Sequence, residues 1–211
     1  MFKKIISLAD DKVKKWDVVT NQPAMKIDKV RVDDSPIVLI RARSILKGYS
    51  CMELFEQIYD SENRKKWDTV TTQLKILEQV DDKTDVIHFV IKTPFGCSNR
   101  DFVQKREYCL DYPKKDHIVV SFVSVTHPAM PHIKGNVRGD TKIAGYVMRP
   151  LPDDPNSTEM FILSQCDIKG MVPKFIVNYV AGKAPAEWIK KLTDACDVAK
   201  GLKKDKKKKK K

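Results

Sequence analysis

Apolar residues recur at helical spacing near the two ends of the chain and at strand spacing through most of the length between them. Phe2, Ile5, Ile6, Ala9, Val13 and Trp16 follow a 3.6-residue period, predicting an opening amphipathic helix whose stripe packs on the body. At the other end Ile189, Leu192, Cys196 and Ala199, extended by Trp188, form one stripe of a long helix predicted over Val172 to Lys200. Lys190, Lys191, Asp194 and Asp197 occupy its opposite side. Pro173 suits a first turn, whereas Pro185, just after Gly182, interrupts the ladder and predicts a kink or break near 182–185.

Between the two helices, strands are expected at 24–31 and 36–46. Ser50-Cys51-Met52-Glu53 then reads as a capping box. It opens a short helix that turns Met52, Phe55 and Tyr59 inward, and a second short helix is expected over Glu62 to Trp67. Antiparallel strands follow over Leu74–Val80, Val86–Lys92, Asp101–Leu110, His117–Val125, Asn136–Leu151 and Thr158–Ile168. Turns at Asp81–Thr84, Tyr112–Asp116 and Pro152–Ser157, and a Pro-rich loop over Thr126–Gly135, separate them. The plan is α+β, with the last helix lying across a curved sheet, and the space between them is core or cavity.

With 211 residues and no Pro/Ser/Gly-rich linker, the chain reads as one domain over 1–200 and a polybasic tail over 201–211. The tail changes the meaning of the net charge of +12: nine lysines against one aspartate in 200–211 supply +8 of it, leaving the body weakly basic. So uniform a run is expected to be disordered. It is either a solvated tail or a weak anchor for anionic headgroups, at about 1 kcal/mol per lysine near the surface. Five scattered cysteines without a CxxC pair point to reduced thiols in the cytosol. No apolar run reaches the ~20 residues of a membrane span, and no secretory signal is expected at the N-terminus.

Two polar stretches stand where a core is expected. In Asp101–Tyr108, Phe102, Gln104, Arg106 and Tyr108 share one strand face, so a charged residue of this strand points inward or the strand lies at an edge. Arg64 and Asp68, four apart at a helix end, form either an exposed pair worth only ~0.3–0.5 kcal/mol or a ligand-facing arginine, whose guanidinium suits phosphate oxygens. No catalytic, metal-ligand or cofactor motif stands out. His127 and His132 flank the Pro-rich loop without a cysteine pair, so they read as structural or exposed, with zinc as the lesser alternative.

Asp60–Asp68, Pro94–Val103, Val137-Arg138 with Gly145-Tyr146, and Asp167–Pro173 together resemble, in order and spacing, the START (StAR-related lipid transfer) domain over about residues 10–200. The resemblance is nearest to the phosphatidylcholine transfer branch. It implies a helix-grip fold, a curved antiparallel sheet wrapped around a long C-terminal helix with an internal lipid tunnel. It places Arg64, paired with Asp68, at a lipid phosphate, and an aromatic cage near Phe89, Phe102 and Lys142. A lysine there would repel trimethylammonium. In the sterol branch an acidic residue pairs with the arginine matching Arg106, and its place falls near His88. Acyl chains are expected under Trp188, Ile189 and Leu192. Tyr112, Lys114 and Lys115 match the loop that the family places over the tunnel mouth.

The expected function is a non-enzymatic, monomeric, cytoplasmic carrier of one glycerophospholipid, in peripheral contact with anionic membranes and without a cofactor or metal. The rival readings are a sterol or other apolar-ligand carrier on the same fold, a helix-grip hydrolase or cyclase with an Asp/His pair in its pocket, and an RNA-binding module. Against the last, the body lacks aromatic residues interleaved with basic ones.

Overall fold

The structure is a computed structural model, and it describes residues 1–22, 25–32, 37–93, 96–171 and 183–204. Helix α1 (Phe2–Asp10) is followed by β1 (Asp17–Gln22), β2 (Met25–Val30) and β3 (Leu39–Leu46). Helices α2 (Cys51–Tyr59) and α3 (Ser61–Trp67) come next. The remaining strands are β4 (Thr71–Asp81), β5 (Thr84–Ile91), β6 (Asn99–Leu110), β7 (Ile118–Ser124), β8 (Asn136–Arg138), β9 (Asp140–Leu151) and β10 (Asp154–Asp167). Helix α4 (Ala184–Ala199) closes the order. The strands form one ten-stranded sheet in the order β1-β2-β3-β10-β9-β7-β6-β5-β4, antiparallel throughout this path, while β8 pairs in parallel with the start of β6.

Strand alternation divides the apolar residues between two layers. On the inner face Ile27, Ala42, Val120, Phe122, Met148 and Met160 meet Leu54, Phe55 and Ile58 of α2 and Ile189, Leu192 and Cys196 of α4. On the outer face Val119, Ile143, Val147, Phe161 and Leu163 are covered by Ile5, Leu8 and Ala9 of α1. The close approach of α1 depends on Gly145, where a Cβ would stand 2.4 Å from the Val120 carbonyl oxygen and 2.6 Å from Ile5 Cδ1. Two caps set where α2 and α3 begin. The Ser50–Glu53 capping box starts α2, and the Asp60 side chain accepts from Asn63 N at 2.7 Å to start α3.

Several elements differ from the sequence expectation, for local reasons. Helix α1 stops at Asp10, not Trp16, because Asp11 turns its carboxylate onto the Val13 and Lys14 N–H groups and Arg41 Nη1 caps the Leu8, Ala9 and Asp11 carbonyls. Val13 is left almost wholly exposed. Strand β1 was not expected at all. Met52 faces solvent, not the core. The stretch expected as one strand over 136–151 is split at Gly139, whose N–H reaches back to the Asp101 carbonyl at 2.9 Å. Pro185 lies in the first turn of α4, where its missing N–H leaves no bond unmade. The expected helix over 172–182, Pro173 and the kink at Gly182 lie outside the described residues, as do Pro94, Phe95 and tail residues 205–211.

The head of the tail belongs to the body. Leu202 N and Lys203 N bond to the Asp197 carbonyl, and Lys203 Nζ lies 2.6 Å from both Asp194 and Asp197.

Candidate functional site

A cavity of about 250 Å³ lies on the inner face of the sheet. Its apolar wall comprises Leu74 of β4, Ile87, Phe89 and Ile91 of β5, Phe102 of β6, Phe122 of β7, Ala144 and Tyr146 of β9 and Ile162 of β10. Phe89 and Phe102 are directly paired across β5 and β6, and their rings stack at 5.0 Å with 15° between planes. Arg64, Thr71, Gln104, Arg106, Thr141, Ser164 and Cys166 bring polar atoms to the same wall.

The two arginines are held differently. Arg64 uses only Nε on Asp68, at 3.0 Å, and its guanidinium stands over the Trp188 ring at 5.6 Å. Asp68 also accepts from Val70 N, Thr71 N and Thr71 Oγ1. Burial opposes the Arg64 charge, but Tyr146 and Asp68 outweigh it and hold its pKa above the ordinary value. Burial likewise pushes the Asp68 carboxyl up, and Arg64 with the Thr71 bonds brings it below its ordinary value. Arg106, by contrast, closes its fork. Nε and Nη2 donate to the two oxygens of Asp85 at 2.6 and 2.7 Å, and Nη1 donates to the Tyr59 carbonyl at 2.7 Å. The Tyr59 ring lies 4.0 Å from the guanidinium carbon, and both members of the pair are almost fully buried.

Asp85 was missed at sequence level. It pairs directly across from Arg106 in the β5–β6 register, so the acidic partner sits three residues before His88, where it had been expected. His88 itself points to the other face, with Nε2 3.1 Å from Asp101, which Arg138 also holds at 2.7 Å.

Lys142 does not enter the cavity. The β9–β10 register shifts between Gln165/Ile143 and Cys166/Thr141, so a bulge absorbs Lys142 and turns Thr141 inward in its place. Lys142 is exposed and bound to Asp140 at 2.6 Å, so it presents no cation to the aromatic wall.

Ile189 and Leu192 are buried in the inner core with α2. Trp188 stacks on Tyr146 at 5.6 Å and meets Trp67 edge-on at 5.3 Å. None of the three is among the described residues lining the cavity, because α4 packs them against α2, α3 and the sheet. Tyr112, Lys114 and Lys115 are displaced further. Their turn joins the end of β6 to the start of β7, whereas the cavity lies toward the start of β6, the ends of β5 and β10 and the start of β9. Tyr112 instead packs beside Phe2 of α1, with ring centroids 6.2 Å apart, on the outer layer, while Lys114 and Lys115 are exposed.

At the cavity end, Arg100 holds the chain that follows β10, donating to the Ile168 and Lys169 carbonyls at 3.1 and 3.0 Å. A second, more open groove of about 430 Å³ shares Thr71 and Leu74 with the cavity and is also lined by Lys65, Lys75, His88, Met130 and Ile133. Met130 and Ile133 place the Thr126–Gly135 loop in this groove, beside His88 on the other face of the sheet, and no residue of the loop is among the described residues lining the cavity. Among the described residues no helix is long and apolar enough to cross a membrane, and no cluster of three or more possible metal ligands occurs.

Known proteins share this architecture and sequence. The chain is 31% identical over 145 residues to the steroidogenic acute regulatory protein, mitochondrial, of Danio rerio, covering 67% of this chain and 50% of that one. It is 24% identical over 196 residues to StAR-related lipid transfer protein 7, mitochondrial, of Homo sapiens, covering 92% of this chain and 53% of that one. The chain thus spans about half the length of these relatives. The crystal structure of human STARD10 superposes with a TM-score of 0.82 at 24% identity, over 92% of this chain and 78% of that one. The START domain profile matches residues 7–200, nearly the whole body, and the chain belongs to the START domain family.

Proposed function

We propose that the protein is a non-enzymatic lipid carrier that encloses one lipid in the inner-face cavity, with the lipid's phosphate at Arg64. The observation that carries this reading is the geometry of Arg64. Its Nε alone is engaged with Asp68 and its other side-chain hydrogen bond is to the neutral Tyr146 hydroxyl, so the end of the fork has no carboxylate partner among the described residues, and it borders an otherwise largely apolar wall. A phosphate suits two parallel N–H donors, and the low dielectric of the cavity strengthens the bond. Arg106 is spent on Asp85 and Tyr59 and is left to hold the wall. Apolar contact with Phe89, Phe102, Phe122 and Ile162 supplies affinity for the chains at about 0.8 kcal/mol per CH₂. At about 250 Å³ the cavity is below the roughly 300–1,000 Å³ of ordinary ligand sites, so loading widens it.

Uptake is at the cavity end of the sheet, beside the groove that Met130 and Ile133 line and that shares Thr71 and Leu74 with the cavity, and the protein works in the cytoplasm with transient contact to anionic membranes. A sterol is the second reading, supported by the buried Arg106–Asp85 pair, which supplies the arginine and acid that the sterol branch uses.

Mass spectrometry of lipid extracted from the purified protein is the first test, with a phosphate-bearing lipid expected. Arg64→Ala should weaken phospholipid binding by at least tenfold, the ~1.5–3 kcal/mol of a charged hydrogen bond, with circular dichroism unchanged. Arg64→Lys should rescue poorly. Wild-type binding by Arg64→Ala removes the phosphate from this position, and recovery of a sterol alone establishes the second reading.

A further inference from the structure

A second set of polar side chains faces the cavity, and among the described residues their side chains bond to one another and not to a charged side chain. Gln104 of β6, only 6% exposed, donates from Nε2 to Thr141 Oγ1 at 2.6 Å, and Thr141 lies 3.4 Å from Cys166 Sγ. Burial pushes that thiol up to about 11, so it stays protonated at neutral pH. Ser164 borders the same wall from β10. The Gln104 side-chain oxygen accepts no hydrogen bond from any described residue, and the Ser164 hydroxyl is likewise without a partner there.

Packing does not require this arrangement. Around it stand Phe102, Phe122, Ala144 and Ile162, a wall that leucine and valine could complete. Thr141 points inward only because of the bulge at Lys142, and bulges recur where a strand re-aims a side chain beside a site. Neither oxygen is among the fully buried side-chain atoms that lack a partner, so each is open to the cavity and takes its hydrogen bond from whatever donor the cavity holds. Ester carbonyls and phosphate diesters offer acceptors alone. A hydroxyl offers a donor for Gln104 Oε1 and an acceptor for the Ser164 hydroxyl or the second Gln104 N–H.

We infer that Gln104, Thr141 and Ser164 form a subsite for a free hydroxyl of the bound lipid, so that the carried lipid has an unesterified hydroxyl in its cavity-buried part. This rests on the carrier reading above. The hydroxyl belongs to the glycerol of a single-chain lysophospholipid or to a sterol ring, and the subsite chemistry is the same for both.

The test uses the full chain and two matched pairs of probes: lysophosphatidylcholine with its 2-O-methyl ether, and cholesterol with its methyl ether. In at least one pair the wild type should prefer the free hydroxyl by about tenfold, the ~1.4 kcal/mol of one hydrogen bond. The pair that shows the preference names the source of the hydroxyl. In Gln104→Leu the preference should fall below threefold, through loss of affinity for the hydroxyl form and not through gain for the ether. Ser164→Ala, which removes a hydroxyl without adding volume, should also lower the preference and carries the test if Gln104→Leu does not fold. Equal binding within both pairs by the wild type overturns the subsite, as does a preference that survives in Gln104→Leu, since that would be a steric effect of the methyl group. Failure to bind any of the four probes overturns the carrier reading itself.

Discussion

Replacing Asp85 by Asn should cost about 3 kcal/mol of folding stability, and replacing Asp85 by Leu together with Arg106 by Met should restore most of it. Two bonds of 2.6 and 2.7 Å join the pair, in a place where Arg106 is 3% and Asp85 2% exposed. Removing one partner of such a pair costs ~3–5 kcal/mol, because the other charge stays buried and uncompensated. Here Arg106 keeps the Tyr59 carbonyl at 2.7 Å and the Tyr59 ring at 4.0 Å, which places the loss at the lower end. For a domain of this size ~3 kcal/mol corresponds to roughly 6–12 °C in Tm, and it is a large share of the ~5–15 kcal/mol by which domains are stable. The double variant fills the site with apolar volume and should lie within about 1 kcal/mol of the wild type. Urea unfolding with linear extrapolation measures each variant, and an unchanged slope confirms that stability alone has moved. If the arginine is closed, as its geometry states, the double variant should also still carry phospholipid. A double variant as unstable as Asp85→Asn, or a single loss under 1 kcal/mol, would refute this account of the pair.

Three further outcomes are expected. The Asp68 carboxyl is held below its ordinary value of 3.8 in the folded protein, so the stability it contributes is present above about that pH and is lost as pH falls below it; Asp68→Asn should flatten stability against pH in that acid range, and an unchanged profile would remove Asp68 as its source. Met130→Asp with Ile133→Asp, in the groove beside the cavity, should slow lipid exchange with vesicles several-fold, whereas Lys114→Ala with Lys115→Ala should leave it unchanged; the reverse pattern would return uptake to the 111–116 turn. Deleting residues 206–211 should weaken binding to phosphatidylserine vesicles at low salt, with the difference shrinking as ionic strength rises, and equal binding at low salt would leave only a solvated tail.

The parts of this molecule that local rules govern were legible in its sequence. The Ser50–Glu53 box fixes where α2 begins, and the spacing of Arg64 and Asp68 fixes that they meet. The stripe of Ile189, Leu192 and Cys196 marks the buried side of α4. What escaped depends on register between distant strands. Direct alternation from Tyr146 through Ala144 would turn Lys142 inward, and only the pairing with β10 reveals the bulge that turns Thr141 in instead. Asp85 falls between the turn expected at Asp81–Thr84 and the strand expected from Val86, and only β5–β6 pairing sets it opposite Arg106; the same register faces His88 away from the cavity. Which end of the sheet a turn occupies is likewise a matter of topology, so the composition of Tyr112–Lys115 carried no information about its distance from the cavity.

The placement of α4 also constrains where lipid can lie. The C-terminal end of the helix is tied to the start of α2 by Lys200, which reaches the Gly48 carbonyl at 2.7 Å and Glu53 at 2.9 Å. Tyr49 holds Asp197 at 2.8 Å, and Lys203 folds back onto Asp194 and Asp197. Ile189, Leu192 and Cys196 fill the core beneath, so opening a space there would separate well-packed surfaces, at ~1.5–3 kcal/mol for each large side chain uncovered. At the start of the helix, by contrast, Trp188 leans on Tyr146 and shares Arg64 with Trp67, next to the cavity itself. A lipid that grows the existing cavity toward that end displaces aromatic contacts worth ~0.5–1.5 kcal/mol apiece beyond their area, and it can replace them with its own chains. If the cavity widens to take up a lipid, the lower-cost direction therefore runs from the Arg64 wall toward the first turn of α4, with the tied end of the helix as its fixed point.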